Sequence, residues 1–195
     1  MGDNKPSLIF VLGSPGSGKG TQCQKIKQHF GFEALSAGDL LVQERQSGSK
    51  DGDLIEHCIV EGKIVPSEIT VRLIDNAMKK SSSQKFVVDG YPRNEDNLTG
   101  WERLMGSKVN LKFVLFFECP QEVCLNRILK RGENSGRSDD NKTSLVKRFE
   151  TYKVSTKPII EHYRKQNLVK TIDGDADPEE VFERVKELFE KEGIS

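Results

Sequence analysis

The sequence predicts an α/β fold: a three-layer arrangement with a central parallel sheet of about five strands, a small helical lobe and a short flap. Three observations predict it. Short, wholly apolar runs alternate with amphipathic stretches of helical length; the first run breaks into a glycine-rich loop carrying a lysine; and two polar, interrupted segments are too hydrophilic for a core. At 195 residues the chain suits one domain, 1–195. A chain of that length buries roughly 70% of its unfolded surface.

Residues 8–12, Leu-Ile-Phe-Val-Leu, are apolar throughout and bounded by turn residues, the mark of a strand buried on both faces. A helix is expected over 21–30 and a short strand over 33–35. Residues 36–65 read as a helical lobe interrupted at 47–52, where Ser, Gly, Lys and Asp gather. A helix over 69–80 leads through a short connection to a second clear strand, 85–89, and a third lies at 112–117. Helices over 121–130, 144–166 and 178–192 and a weaker strand at 168–172 complete the alternation, with the polar loop 132–141 as the flap. In such a sheet a ligand sits at the carboxyl ends of the strands, where Gly13 and Asp89 fall.

Thirty basic residues balance thirty acidic ones, so no net field draws the molecule to nucleic acid or a membrane. No run approaches the ~18 apolar residues of a membrane span. The first seven residues carry charge and proline where a secretory signal needs an apolar core, and Pro6 stands where a myristoylation pattern needs Ser or Thr. Cys23, Cys58, Cys119 and Cys124 form no metal or redox pattern, and reduced thiols in the cytosol are expected.

Chemistry concentrates at Gly13-Ser-Pro-Gly16-Ser17-Gly18-Lys19-Gly20-Thr21. Only glycine lets a backbone turn several N–H groups into one concavity, and the helix that follows adds its positive end to the same anion site. Lys19 then reaches the outer phosphates. Gly20 stands where Ser or Thr usually follows the lysine, with Thr21 one place later. A plain turn is the bland alternative, which strand, loop, lysine and amphipathic helix in this order disfavour.

A second signal is the basic stretch with Arg127, Lys130, Arg131, Arg137, Lys142, Lys147 and Arg148. Arg127 and Arg131 are four apart and share a helix face. Phosphoryl transfer needs positive charge around the moving phosphate, which guanidinium forks supply; a solvated helix face is the other reading. Asp89-Gly90-Tyr91-Pro92-Arg93 follows a strand directly, so Asp89 could hold magnesium through water and Arg93 clamp a phosphate, though Asp-Gly before Pro is also a common turn. Asp139 and Asp140 could orient arginines or cap a helix starting near Thr143. His29, His57 and His162 stand alone in helical contexts and read as structural, while Trp101 and the phenylalanines follow a core pattern.

Five segments together, 13–22, 35–41, 62–66, 89–94 and 131–141, resemble the nucleoside monophosphate kinases over essentially the whole chain. The loop ending Gly-Lys-Gly-Thr is typical of that family. The resemblance implies ATP as donor and Mg2+ as cofactor, with an acceptor-binding lobe at 36–65 and a short, zinc-free lid at 131–141. It assigns the ATP phosphates to Gly16, Ser17, Gly18, Lys19, Gly20 and Thr21, with Arg127 and Arg131 also on the ATP side. Lys19, Asp89, Arg131, Arg137 and Arg148 take catalytic roles. Acceptor binding falls to Ala37, Gly38, Lys63, Ile64, Val65, Gly90, Tyr91, Pro92, Arg93, Asn97, Arg137 and Arg148. The metal has no direct protein ligand and lies near Thr21 and Asp89 through water.

Ala37 and Asn97 resemble the branch of the family that phosphorylates pyrimidine monophosphates, so CMP, UMP and dCMP are the expected acceptors. AMP is the alternative, favoured mildly by Tyr91 where that branch usually has phenylalanine, and a homologue that only binds nucleotide is a third reading. Where the family carries an arginine that holds the acceptor phosphate, this chain has Val42, so that role is not carried over; Arg45, one turn later, could stand in, or Arg93 and Arg137 could suffice. The resemblance further implies a monomer in the cytoplasm, with a nuclear share left open.

Overall fold

The structure, a computed structural model, describes residues 5–132 and 141–195. Its centre is a five-stranded parallel sheet of β1 (Ser7–Gly13), β2 (Glu33–Ser36), β3 (Lys85–Asp89), β4 (Asn110–Glu118) and β5 (Val169–Asp173), in the order β2-β3-β1-β4-β5. β1 is the middle strand, and Leu8, Ile9, Phe10 and Val11 are wholly buried, which is why the run is apolar without alternation. Its side chains still divide by parity. Leu8, Phe10 and Leu12 enter one core with Tyr91, Trp101 and Tyr163, while Ile9 and Val11 enter the other with Ile26, Phe182 and Phe189.

Helices cover both faces: α1 (Lys19–Phe30), α4 (Ser67–Lys80), α5 (Glu95–Met105), α6 (Gln121–Gly132), α7 (Lys142–Thr151), α8 (Lys157–Arg164) and α9 (Pro178–Lys191). α2 (Ala37–Gln46) and α3 (Gly52–Val60) fall within 36–65, and Leu41, Ile55 and Cys58 from them pack with Val65 and Ile69 in a small cluster. Parallel register aligns Ser36 with Asp89 and Gly13 with Phe117, bringing the loops after β1, β2 and β3 to one edge.

Three details differ from the sequence reading. α5 was not anticipated, because its sequence is mostly polar with a glycine at its centre; Gly100 is there since a Cβ would stand 2.5 Å from Ser67 Oγ, where α5 presses on α4. The helix expected over 144–166 is instead α7 and α8 joined by a π-helical turn, Tyr152–Thr156. The cap of α7 is Asn141, whose side chain accepts the Ser144 N–H at 3.0 Å; Asp139 and Asp140 lie outside the described residues. The four cysteines are free thiols. Among the described residues no helix is long and apolar enough to cross a membrane.

Candidate active site

The loop from β1 to α1 is shaped by what it cannot hold. Gly16 has φ +80°, and a Cβ there would lie 2.4 Å from Cys124 O and 2.8 Å from Ile128 Cγ1, so the loop presses its backbone onto α6. Gly18, with φ +92°, begins α1 and turns the first helical N–H groups inward. Lys19 folds back over the loop, its Nζ donating to Gly13 O at 3.0 Å and Ser14 O at 2.9 Å.

Burial lowers the Lys19 pKa; Asp89 opposes that shift, while Arg148 and Arg93 add to it. The ammonium of this half-buried lysine is therefore disfavoured by desolvation and by guanidinium charge and favoured by Asp89. Such a group holds its proton at a cost, which an incoming polyanion offsets. Asp89 lies against the start of α1: a Cβ on Gly20 would be 3.6 Å from Asp89 Oδ2.

These residues open onto a cavity of about 860 Å3. Gly13, Gly16, Gly18, Lys19, Gly20 and Thr21 line it, and so do Gly38, Val42, Arg45, Lys63 and Val65. Asp89, Gly90 and Arg93 line it at the strand ends, and Arg131, Arg148, Tyr152 and Thr156 line it as well. The two groups of residues that the sequence assigned to donor and acceptor thus face one space.

Others stand behind the wall. Ser17 and Ala37 are buried, Ile64 is half-buried, and Pro92 is buried beside Arg93. Tyr91 is in the core against Phe10 and Trp101, and its hydroxyl donates to the Asn97 carbonyl at 2.9 Å. Asn97 is also buried: its Oδ1 accepts the Arg93 N–H at 3.1 Å, which fixes the amide's orientation, and its Nδ2 has no hydrogen-bond partner among the described residues. Arg127 donates to Gly174 O at 2.9 Å and Ala176 O at 3.1 Å, stitching the β5–α9 connection to α6 near Gly18, with Cys119 Sγ at 3.5 Å. Burial, foremost, pushes that thiol up to about 12. Arg137 lies outside the described residues.

Arg45 is ion-paired with Glu56 of α3, so it can serve a ligand only by leaving or sharing that carboxylate. The sequence reading missed Asp39, Tyr152 and Thr156 on the cavity wall. Asp39 had a signal, the Ser36 cap that accepts its N–H at 3.2 Å. Thr156 had none, because only the π turn aims it inward, where its hydroxyl donates to Arg93 O at 2.8 Å.

The donor set suits a nucleotide polyphosphate: glycine backbone, one lysine and several guanidiniums. Among the described residues no three His, Cys, Asp or Glu side chains gather to cage a metal ion. A magnesium ion here would be held by nucleotide oxygens and by water, with Thr21 and Asp89 flanking it.

The family model described as adenylate kinase matches residues 11–168. Among curated relatives, UMP-CMP kinase of Gallus gallus is 52% identical over 195 residues, covering 97% of this chain and 100% of that protein. The UMP-CMP kinases of Xenopus tropicalis and Homo sapiens are 52% and 51% identical with the same coverage.

Proposed function

The chain belongs to the adenylate kinase family, and from that premise we propose that it transfers the terminal phosphoryl group of ATP, reversibly, to CMP, UMP or dCMP. The observation that carries this is the shared cavity, where the phosphate-binding loop and the α2–α3 lobe face each other across Lys19, Arg93, Arg131 and Arg148. The names of its relatives supply the pyrimidine acceptor. Bound ATP with Mg2+ supplies the phosphoryl group and neutralises part of its charge.

No side chain need act as a nucleophile, because the acceptor phosphate is one already. The protein's work is positioning and charge. Lys19 leaves the loop carbonyls to follow the transferred group. Arg131, Arg137 and Arg148 meet the charge that spreads over its oxygens, and Arg127 secures the ATP side. Arg93 holds the acceptor phosphate; Gly38, Lys63, Ile64, Val65 and Gly90 shape its seat, with Ala37, Tyr91 and Pro92 supporting it. The lid, 131–141, excludes water that would otherwise hydrolyse ATP.

Asn97 serves as the base reader. Its carbonyl oxygen accepts one bond from Arg93 and keeps a second lone pair, and its amide N–H groups have no partner among the described residues, so the side chain can offer both a donor and an acceptor to the edge of cytosine or uracil. Val42 leaves the acceptor phosphate one arginine short, and Arg45 is the nearest substitute if it leaves Glu56. We further place the protein in the cytoplasm, in pyrimidine nucleotide synthesis, as a monomer; four free thiols and a site built within one chain support this.

The test is a coupled ADP-release assay with ATP-Mg2+ against CMP, UMP, dCMP and AMP, with a no-acceptor control and a Lys19→Met variant. Turnover with pyrimidine acceptors that vanishes with Lys19 is the expected result. Preference for AMP would make the chain an adenylate kinase, and ATP binding without turnover would make it a protein that only binds.

A further inference from the structure

Beside the cavity the acceptor lobe touches α7 at Gly62, and the contact is close. Gly62 follows α3 with φ +63°, and a Cβ there would lie 2.9 Å from Lys147 Cβ and 3.3 Å from the Arg148 backbone nitrogen. The lobe's chain thus rests directly on the α7 backbone. Two polar contacts flank this point. Thr151 Oγ1 donates to the Gly62 carbonyl at 2.8 Å, and Lys147 Nζ meets Glu61 Oε2 at 3.2 Å. Lys147 and Thr151 are four apart, so both face the lobe. Arg148, between them in sequence, lines the cavity, as do Gly62 and Lys63.

We propose that Thr151 and the Glu61–Lys147 pair are positioning residues: they clasp the acceptor lobe to α7, so that an acceptor seated on Lys63 and Val65 also sets the Arg148 guanidinium toward the transferred phosphoryl group. The proposal rests on the kinase reading above and adds to it how the two halves of the site communicate. Physical reasons favour the clasp as a coupling rather than a stabilising device. The ion pair is about two-fifths exposed on both sides, where such pairs contribute little to stability. The hydroxyl bond is made to a backbone carbonyl of the lobe, and Arg148 lies within the same helix, one residue from Lys147 and one turn from Thr151, so a shift of that carbonyl is passed to it through the helix backbone. Glycine at 62 is what permits the two backbones to meet, since any side chain would hold them apart.

The test uses the whole chain with Thr151→Val, which keeps the shape but removes the donor, Thr151→Ser, which restores it, and the Thr151→Val/Glu61→Gln double variant. With ATP-Mg2+ and CMP, Thr151→Val should lower kcat about three- to tenfold and raise the acceptor KM, the range expected for one lost hydrogen bond. Thr151→Ser should stay within about twofold of the unmodified chain, and the Kd for ATP measured without acceptor should not change. Hydrogen exchange supplies a readout that a merely structural contact would not move. CMP alone should slow exchange of the 142–151 amides in the unmodified chain, but only of the lobe amides in the double variant.

Equal kcat and KM in all variants, equal loss in Thr151→Ser and Thr151→Val, or α7 protection by CMP that survives the double substitution would each overturn the clasp. If the unmodified chain neither binds nor phosphorylates CMP and UMP, the kinase reading falls and the clasp with it. If the unmodified chain works and the variants match it, the clasp alone falls.

Discussion

At two positions of the phosphate-binding loop an added carbon has nowhere to go: a Cβ on Gly13 would stand 2.6 Å from Phe117 O, and one on Gly16 2.4 Å from a backbone oxygen of α6. Across the cavity, the α2–α3 segment is joined to the body by polar side chains, Arg72 with Asp51 at 2.7 Å, Lys147 with Glu61 and Thr151 with the Gly62 carbonyl, and by an apolar cluster in which Leu41, Ile55 and Cys58 pack on Val65 and on Ile69 of α4. That cluster holds five buried residues, against the fifteen buried residues of the core that β1 shares with α1 and α9. The phosphate-binding loop is thus held by close backbone packing and a large core, and the α2–α3 segment by a smaller apolar cluster, one close backbone approach at Gly62 and exposed polar contacts that each contribute little. A phosphoryl-transfer site benefits from that division. The fixed wall preorganises charge, and the loose one admits and releases the acceptor.

The contrast can be broken or sharpened, beginning on the fixed side. Lys19→Met should lower kcat on the order of a hundred- to a thousandfold, as loss of one preorganised charge does. It should leave the thermal midpoint unchanged or raise it, because burial lowers the lysine's pKa and its charged form is held at a cost in the fold. A large fall in midpoint would show that the lysine is structural. Gly16→Ala should destabilise by about 2–4 kcal/mol in urea unfolding, from a positive φ and an overpacked contact together. A loss under about 0.5 kcal/mol would mean the donor wall is as pliable as the acceptor wall.

On the loose side the expected effects are smaller and fall on substrate handling rather than on folding. Val42→Arg should raise kcat/KM for CMP on the order of tenfold, because a charge-assisted hydrogen bond contributes about 1.5–3 kcal/mol; an unchanged or lower value removes position 42 from the acceptor site. Exchanging Asn97→Gln together with Ala37→Thr should move preference toward AMP by roughly tenfold, measured as a ratio of kcat/KM values. No movement would mean that base choice lies elsewhere. Smallest is Glu56→Gln, which releases Arg45: the KM for CMP should fall by about two- to fivefold, the scale of one exposed ion pair. If it does not fall, Arg45 takes no part in holding the acceptor.

Legibility in the sequence followed the same division. The strands of the sheet and the glycine loop could be read because each depends on local pattern: an apolar run buried on both faces, or a backbone turn that only glycine makes. α5 escaped because Gly100 interrupts its periodicity, and the reason for that glycine is Ser67, thirty-three positions away in the chain. The π turn escaped because nothing in Tyr152–Thr156 announces an extra residue per turn, yet it aims Thr156 at Arg93. Tyr91 was assigned to the acceptor and sits instead in the core, holding Asn97 through its carbonyl.

The sequence by itself determined the layered parallel sheet, the anion-binding loop and the convergence of Gly13 and Asp89 on one edge, since these follow from burial and from backbone sterics acting over a few residues. Only the tertiary structure decided which charges meet. It set Arg45 against Glu56, Lys147 against Glu61, Arg127 on the Gly174 and Ala176 carbonyls, and Lys19 beside Arg93, Arg148 and Asp89. Helical spacing sets pairs such as Asp75 with Lys79, but partners this far apart in the chain are selected through space, by distance and burial, which no spacing along the chain encodes.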